Sequence, residues 1–302
     1  MSLRAILPIL VLVVFPMAQA QLSKEDADRE KRLQEKAAAA TADTSKKYGW
    51  HHGMVAGLNL TQVSFKDWAQ GGENALSYTV FVNGASVLDC ETINWSNSYK
   101  LSFGQTRLGS QGLRKTDDEI YYEALLIYKF GTTVNPYVSA TFRTQFAEGF
   151  TYDNNGTATG VSKFFDPAYF TQSAGVAWKP VPEVTTRIGA AVREIFTSQF
   201  THYASDPLPA APQKSRVDEG IESVTEVAWS FADNLTFSSR LELFAPLKSM
   251  DRVYARCENL ITAKVNKYVS ANFGVQFLHD LNASPRTQIK QVLAMGVSYS
   301  IL

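Results

Sequence analysis

Hydrophobic and polar residues alternate along the last stretch of the chain, from Gln291 to Leu302. Leucine, methionine, valine, tyrosine and isoleucine fall on one face of an extended strand, and mostly alanine, glycine and serine fall on the other. A period of two is typical of a β-strand with one apolar face. Stretches of this kind are long enough to cross a bilayer at a tilt, which takes about 9–11 residues. Twelve strands are predicted, at 54–65, 76–88, 92–106, 119–130, 133–146, 169–179, 183–197, 220–231, 235–244, 253–265, 268–279 and 290–302.

The connections between these stretches alternate between short and long. Short turns rich in glycine, proline and polar residues are predicted at 89–91, 131–132, 179–182, 232–234 and 266–267. Longer loops are predicted at 66–75, 107–118, 147–168, 198–219, 245–252 and 280–289. This alternation is typical of an all-β, antiparallel up-and-down transmembrane barrel with short periplasmic turns and longer extracellular loops. Additional hairpins in the 107–118 and 198–219 loops would change the strand count by two.

The distribution of charges and aromatic residues favours a membrane barrel over a soluble sandwich or closed barrel. Nearly every charge within a strand falls on the face opposite the large apolar residues, although a sandwich also alternates. Aromatic residues on the apolar face lie near both strand ends, where a membrane barrel places its two interfacial girdles. The periplasmic set is Trp95, Tyr128, Trp178, Trp229 and Tyr299, and the outer set is Phe103, Phe146, Phe170, Phe196 and Phe277.

The start of the chain has the features of an export signal. Arg4 precedes an apolar run, residues 5–15, that is shorter than the ~20 residues of a membrane-spanning helix. Ala18 and Ala20 form a small-x-small cleavage signal, so we expect cleavage after Ala20. An uncleaved anchor is the alternative. Together with the strand pattern, this segment predicts an outer-membrane location.

Residues 21–47 differ in composition from the rest of the chain. They mix charges with alanines and contain almost no large apolar residues, so they cannot build a core. We expect a periplasmic leader that is a solvated helix or disordered, and the barrel itself over 48–302. The leader is either a spacer that clears the membrane or a helix that binds a periplasmic protein partner.

The inward faces of the predicted strands carry both signs of charge, with a modest basic excess. The lumen candidates are Lys100, Arg143, Arg187, Arg193, Glu222, Glu226, Arg240, Glu242, Arg256, Glu258 and Lys264, and the same inward faces also carry Lys129 and Glu123. One interpretation is a network of paired charges that fills the barrel, since buried charges require partners. A loop or the N-terminus folded inward would also fill it. The other interpretation is a narrow pathway that favours small anionic or zwitterionic solutes.

The loop after the first strand contains a W-A-Q-G-G motif with Trp68, Gly71 and Gly72. Paired glycines permit backbone angles closed to other residues, so the segment could fold over the lumen or turn sharply against the wall. Trp68 would then pack the barrel mouth or stack against a ligand, and packing is the interpretation we favour.

Four stretches resemble a known family. They are F-K-D-W-A-Q-G-G-E-N-A-L-S at 65–77, I-N-W-S-N-S-Y-K-L-S-F-G at 93–104, I-Y-Y-E-A-L-L-I-Y-K-F at 120–130 and N-P-Y-V-S-A-T-F-R-T-Q-F at 135–146. The chain resembles a domain-of-unknown-function family of outer-membrane barrels from the Gram-negative envelope. That resemblance implies an outer-membrane location and a barrel fold, and it assigns no catalytic or binding residue.

Composition restricts the function further. The 29 basic and 29 acidic residues balance, and loss of Arg4 with the signal leaves a net charge of about −1, so no nucleic-acid partner is expected. The two cysteines, Cys90 in a periplasmic turn and Cys257 within a strand, are expected to be free because they lie too far apart to bridge. No Cys/His cluster suggests a metal, and we expect no cofactor.

The histidines give little support for catalysis. His51, His52, His202 and His279 are the four histidines of the chain. The first two are expected before the first strand, and no serine is placed beside His279 as an outer-membrane phospholipase would require. An aspartate–histidine protease site would use Asp206 with His202 or Asp280 with His279. Adjacency in sequence is poor support for the mutual orientation of two side chains. We therefore expect a protein that is not an enzyme.

Two functional hypotheses remain, both for a barrel in contact with outer-membrane lipid. The first is a channel or binding barrel for small solutes, which predicts an open lumen and reduced flux when Arg187, Arg193 or Arg240 is replaced. The second is a structural or assembly component that docks periplasmic partners through residues 21–47, which predicts a plugged lumen and loss of the partner when the leader is deleted.

Overall fold

The computed structural model describes residues 48–64, 73–131, 133–153, 155–205, 212–266 and 268–301. The predicted signal peptide, the leader at 21–47 and the motif containing Trp68, Gly71 and Gly72 lie outside the described residues. Strands in the described part are β1 Gly49–Val63, β2 Ala75–Asp89, β3 Ile93–Leu108, β4 Arg114–Tyr128, β5 Val134–Thr144, β6 Gly149–Tyr152, β7 Ala158–Ser162, β8 Ala168–Val181, β9 Val184–Phe196, β10 Ser215–Ala232, β11 Leu235–Pro246, β12 Tyr254–Lys264, β13 Val269–His279 and β14 Gln288–Ser300. A short 3-10 helix spans Thr201–Tyr203.

Twelve of these strands form one closed antiparallel barrel, in the order β1-β14-β13-β12-β11-β10-β9-β8-β5-β4-β3-β2. Each strand pairs with its neighbour along the chain, except that β5 pairs with β8 around the separate β6–β7 hairpin. The barrel closes where β1 meets β14, with Val55–Asn59 paired to Gly296–Ser300 among the described residues. The predicted twelve-stranded up-and-down barrel is confirmed.

Several strand boundaries differ from those predicted. β1 begins at Gly49, so His51 and His52 lie within the strand rather than before it. Gly49 and Gly53 weaken the strand signal of residues 49–53. Pairing with the end of β2, including His51 with Val87, nevertheless extends β1 back to Gly49. β4 and β10 likewise begin about five residues early, because their partners β3 and β9 supply ladder hydrogen bonds to polar residues that alone do not resemble a strand.

An additional hairpin, β6–β7, lies in the loop between β5 and β8. The described residues of the 107–118 and 198–219 loops contain no such hairpin. β6 and β7 pair across a turn in which the Asp153 carboxylate accepts the backbone N–H groups of Asn155 at 2.9 Å and Thr157 at 2.7 Å. These charge-assisted bonds lower the pKa of Asp153, with the Thr157 N–H the largest cause. Gly156 in this turn has a φ of +83°, which favours glycine. The hairpin stays outside the barrel sheet.

The outer surface of the barrel is apolar over neighbouring strands. Val138, Val176, Ile188 and Ile221 project from β5, β8, β9 and β10, and all four are exposed. The expected inner face of the same strands instead contains buried polar residues such as Ser139 and Ser173. A closed sheet with an apolar exterior and a polar interior is what a bilayer requires, because every strand edge is paired and the lipid meets hydrocarbon side chains.

The short connections lie at the end of the barrel that contains the start of β1 and the end of β14, which is the end predicted to be periplasmic. Aromatic residues ring this end on the outer face: Trp50, Trp95, Tyr128, Trp178, Trp229 and Tyr299 are all at least 40% exposed. At the opposite rim, Phe142, Phe165, Phe170 and Phe196 form contacts with one another. The described residues contain no helix long and apolar enough to span a membrane.

Candidate lumen site

The register of the sheet places the inward charges at similar levels. Lys100 of β3 is opposite Tyr121 of β4, and Tyr121 is opposite Arg143 of β5. On the other wall, Arg240 and Glu242 of β11 are opposite Glu258 and Arg256 of β12. Because alternate residues of a strand share one face, the sheet presents two charged arrays to the lumen.

The two arrays meet across the lumen. Arg256 Nη2 lies 2.7 Å from Glu119 Oε1, and Arg143 Nη1 lies 3.0 Å from Glu242 Oε2. Lys100 Nζ lies 2.8 Å from Glu119 and 3.2 Å from Glu258. These pairs join β3, β4 and β5 to β11 and β12, which are not neighbours in the sheet, so the side chains span the interior rather than follow the wall.

Glu123 of β4 is at the centre of a second group of contacts. It pairs with Arg187 of β9 and with Arg240 Nη2 at 3.1 Å, and it accepts the Tyr121 hydroxyl at 3.0 Å. Glu123 and Arg187 are each only 4% exposed. Arg240 also pairs with Glu226 and, at 2.7 Å, with Glu242. Each buried charge of this group therefore has a counter-ion, as burial requires, although Nε of Arg187 has no acceptor.

We call this assembly the transverse network. Its members are Lys100, Glu119, Tyr121, Glu123, Arg143, Arg187, Glu226, Arg240, Glu242, Arg256 and Glu258. It contains five cationic and five acidic side chains, so its formal charge is zero. Sequence reasoning missed Glu119 and Tyr121, although both share the face of Glu123 by alternation. The arginines expected to line an open pathway are therefore mostly engaged in ion pairs, and this corresponds to the paired-charge interpretation.

Three of the lumen candidates lie outside the transverse network. Glu222 of β10 accepts the Ser173 hydroxyl at 2.6 Å. Lys264 is the last residue of β12, at the periplasmic end. Arg193 of β9 contacts aromatic rings and has no ion pair among the described residues. Lys129, also expected inside, lies past the end of β4, where its Nζ contacts Asp89 Oδ1 at 2.6 Å.

The remaining part of the barrel wall has many small side chains on its inner face, together with larger apolar ones such as Val55, Phe81 and Val292. Asn83 is opposite Lys100 and shares its lumen-facing side, and register carries this face from β2 through β1 to β14 and β13. We call this surface the small-residue wall: Gly53, Gly57, Asn83, Ala85, Ser270, Asn272, Gly274, Ala294, Gly296 and Ser298. Apart from Gly296, all of these residues are half-buried or exposed. The inner face of β13, β14, β1 and β2 therefore carries fewer long charged side chains than the inner face of β4 to β12.

A cavity opens at the extracellular end, above the transverse network. It is lined by Arg193, Arg216, Phe244, Arg252, Tyr254, Asp218, Asp280 and Asn282, with a few further residues, and measures about 370 Å³ including its open mouth. A second cavity lies beside the transverse network and shares Arg193, Phe244 and Tyr254 with the first. Arg193 consequently lies at the boundary between the rim and the interior.

Asp166 joins two extracellular loops at this rim. Its buried carboxylate accepts the Gln199 N–H at 2.7 Å, the Ser198 hydroxyl at 2.7 Å and the Phe200 N–H at 3.4 Å. Burial alone would raise the pKa of Asp166, but these donors outweigh it and lower the pKa below its ordinary value. The loops that follow β5 and β9 are therefore held together by one charged group.

The remaining chemical candidates are separate from the lumen. His279 Nδ1 lies 3.1 Å from Thr287 Oγ1, the ring of His202 contacts that of Tyr203, and Asp206 lies outside the described residues. Asp280 accepts the Asn282 N–H at 2.9 Å. Cys90 and Cys257 are free. Over the described ranges, no group of three His, Cys, Asp or Glu residues could hold a metal ion.

A closed antiparallel barrel with an apolar outer face, interfacial aromatic residues and a polar interior defines an outer-membrane β-barrel protein. A family model described as a protein of unknown function (DUF3078) matches residues 60–150. All four stretches that carry the sequence resemblance lie within that range, so the resemblance is confirmed. No curated protein matches the chain.

Solved structures of outer-membrane barrels are similar in overall shape. The NanC porin is 10% identical over 82% of this chain and 98% of its own, with a TM-score of 0.39. The translocator domain of the autotransporter NalP from Neisseria meningitidis is 9% identical over 92% and 97%, with a TM-score of 0.38. The COG4313 outer membrane channel from Pseudomonas putida F1 is 8% identical over 86% and 98%, with a TM-score of 0.40.

Proposed function

We propose that the protein conducts small polar solutes through the outer membrane, along the small-residue wall and beside the transverse network. The observation that carries this proposal is the asymmetry of the lumen. Long charged side chains occupy the interior next to β4, β5, β9 and β11, whereas most of the side chains that face the interior from β13, β14, β1 and β2 are uncharged, and many are glycine, alanine, serine or asparagine. Polar groups of this size leave space and offer hydrogen bonds to a solute in transit.

The transverse network supports a narrow pathway rather than a wide pore. Its five cations and five carboxylates neutralise one another across the lumen. A neutral, interlocked network contributes little net field to the pathway, so size would limit passage more than charge would at this level. Charge selection would then depend on the extracellular cavity, where Arg193, Arg216 and Arg252 outnumber Asp218 and Asp280.

A pair of adjacent substitutions on β13 tests the pathway. Gly274 faces the lumen, and a Cβ added there would lie 3.8 Å from the Asn259 carbonyl oxygen and 3.9 Å from Leu260 Cδ1, which is ordinary van der Waals contact. Gly274→Phe should reduce the single-channel conductance of the mature full-length protein in planar bilayers by about half or more, because an aromatic ring would occupy a passage lined by small residues. Val275→Phe adds a ring to the lipid-facing side of the same strand and should leave conductance unchanged.

The folded state of both variants is checked by the mobility shift of heated against unheated protein on SDS gels. Equal conductance for Gly274→Phe and wild type would place the pathway elsewhere. Inserted wild-type protein that shows no openings would contradict conduction altogether.

A further inference from the structure

Arg193 differs from every network arginine in its surroundings. It is only 8% exposed, yet its guanidinium has no carboxylate partner and no hydrogen bond within the described part of the chain. Its Nε is a buried donor without an acceptor, as are those of Arg143 and Arg187, but those two arginines have glutamate partners at their other nitrogens. By contrast, Arg143, Arg240 and Arg256 each pair with at least two glutamates.

Aromatic rings surround the Arg193 guanidinium. Its Cζ lies 3.8 Å from the centroid of the Tyr254 ring, 5.0 Å from that of Tyr169 and 5.7 Å from that of Phe244. Contacts of this kind stabilise the positive charge through the ring quadrupole. They provide no acceptor for the guanidinium N–H donors, so the hydrogen-bonding requirement of a buried arginine remains unmet.

The position of Arg193 gives these donors access to a ligand. Arg193 lines both the extracellular cavity and the cavity beside the transverse network. Elsewhere in the extracellular cavity, Arg216 Nη2 is paired with Asp218 at 2.7 Å and Arg216 Nη1 contacts Asn282 Oδ1 at 3.2 Å. Asp218 lies opposite Arg193 in the register, but its carboxylate pairs with Arg216. An anion entering from the rim would therefore meet Arg193 as a buried cation with no carboxylate of the described residues within ion-pair distance.

We propose that Arg193 and the rings of Tyr169, Tyr254 and Phe244 form a binding site for small single-ring carboxylates. A carboxylate matches the planar guanidinium in a two-point hydrogen bond, and it supplies the negative charge that the site lacks. The aromatic rings provide apolar surface for the body of the ligand. This inference rests on the proposed solute function and names the chemical class that the extracellular cavity would select.

The site is tested by a calorimetric titration of the purified full-length protein with benzoate. Arg193→Gln should weaken benzoate binding at least about tenfold, since it removes the charge-assisted hydrogen bonds to the carboxylate. Arg193→Lys keeps the charge but loses the planar fork, and it should bind benzoate less tightly than wild type. Arg286→Gln removes a positive charge from an exposed residue of the loop after β13 and should bind as wild type does.

Benzyl alcohol and benzylamine separate the contribution of the carboxylate from that of the ring. Neither should compete with benzoate, because neither supplies a negative charge. Benzoate binding that is equal in wild type and Arg193→Gln would overturn the site, as would equal binding of benzyl alcohol. Conductance measured on the same protein keeps the two proposals distinguishable. Openings without benzoate binding would refute the site alone, and Arg193-dependent binding in a silent protein would refute conduction alone.

Discussion

The Glu123–Arg187 pair should be among the most consequential contacts for the stability of the barrel. Arg187 is 4% exposed, and Glu123 is its ion-pair partner. Glu123→Gln preserves shape but leaves the Arg187 charge buried without a counter-ion, which costs about 3–5 kcal/mol. Arg187→Met should cost less, about 1–3 kcal/mol, because Glu123 keeps Arg240 and Tyr121 as partners.

The double variant Glu123→Gln/Arg187→Met should be more stable than the sum of the single losses implies. Removing both charges eliminates the uncompensated group, so we expect a coupling of at least about 2 kcal/mol. The measurement is urea unfolding in phospholipid vesicles, followed by tryptophan fluorescence. Glu219→Gln, at an exposed position near the outer end of β10, serves as the charge-matched control and should remain within about 0.5 kcal/mol of wild type. Single losses below about 1 kcal/mol, or strictly additive effects, would refute this account of the transverse network.

Three other predictions address separate parts of the fold. Gly175→Ala should destabilise the protein by about 1–3 kcal/mol, because the new Cβ would overlap the Ile188 carbonyl oxygen. Gly274→Ala, whose Cβ would meet nothing nearer than 3.8 Å, should be nearly neutral in the same urea assay. In proteoliposomes, Cys90 at the periplasmic turn should react with a water-soluble maleimide, whereas Cys257 on the lipid-facing side of β12 should react only with an apolar maleimide. The reverse pattern would contradict the assignment of Cys257 to the lipid-facing side of β12. The pKa of Asp166 is lower in the folded protein than in the unfolded chain. Its ionised carboxylate therefore contributes to stability above the unfolded pKa, and this contribution is lost as pH falls through the folded pKa. Amide protection at Gln199 and Phe200, corrected for intrinsic exchange, should therefore fall below about pH 4, and Asp166→Asn should lack that protection at neutral pH while Glu148→Gln retains it.

The barrel itself follows from the sequence because each strand faces two different solvents. Lipid on one side and the polar lumen on the other impose a period of two, as in β13, where Phe273 and Val275 flank Gly274. The boundaries were less predictable where pairing, rather than composition, extends a strand. Gly49 to Gly53 is one example, because its partners in β2 supply the order that its glycines do not.

Individual charged residues could be assigned to the lumen, but their partners could not. Glu119 and Arg256 are 137 positions apart and meet only because of the stagger and curvature of the closed sheet. Alternation determines the face of a strand and contains no information about which residue lies opposite across the lumen. The unpaired state of Arg193 was unpredictable for the same reason, since it depends on where every carboxylate of the other strands lies.

The junction of β1 with β14 has a consequence for how the molecule forms. It pairs Val55 with Ser300 and Asn59 with Gly296, so it joins residues from opposite ends of the described chain. Hairpins such as β10–β11 close over short separations and can form early, but this junction has to wait until the intervening strands are in register. Closure of the barrel is therefore expected to be the slow step of assembly, and a late intermediate would be an open sheet with two unpaired edges.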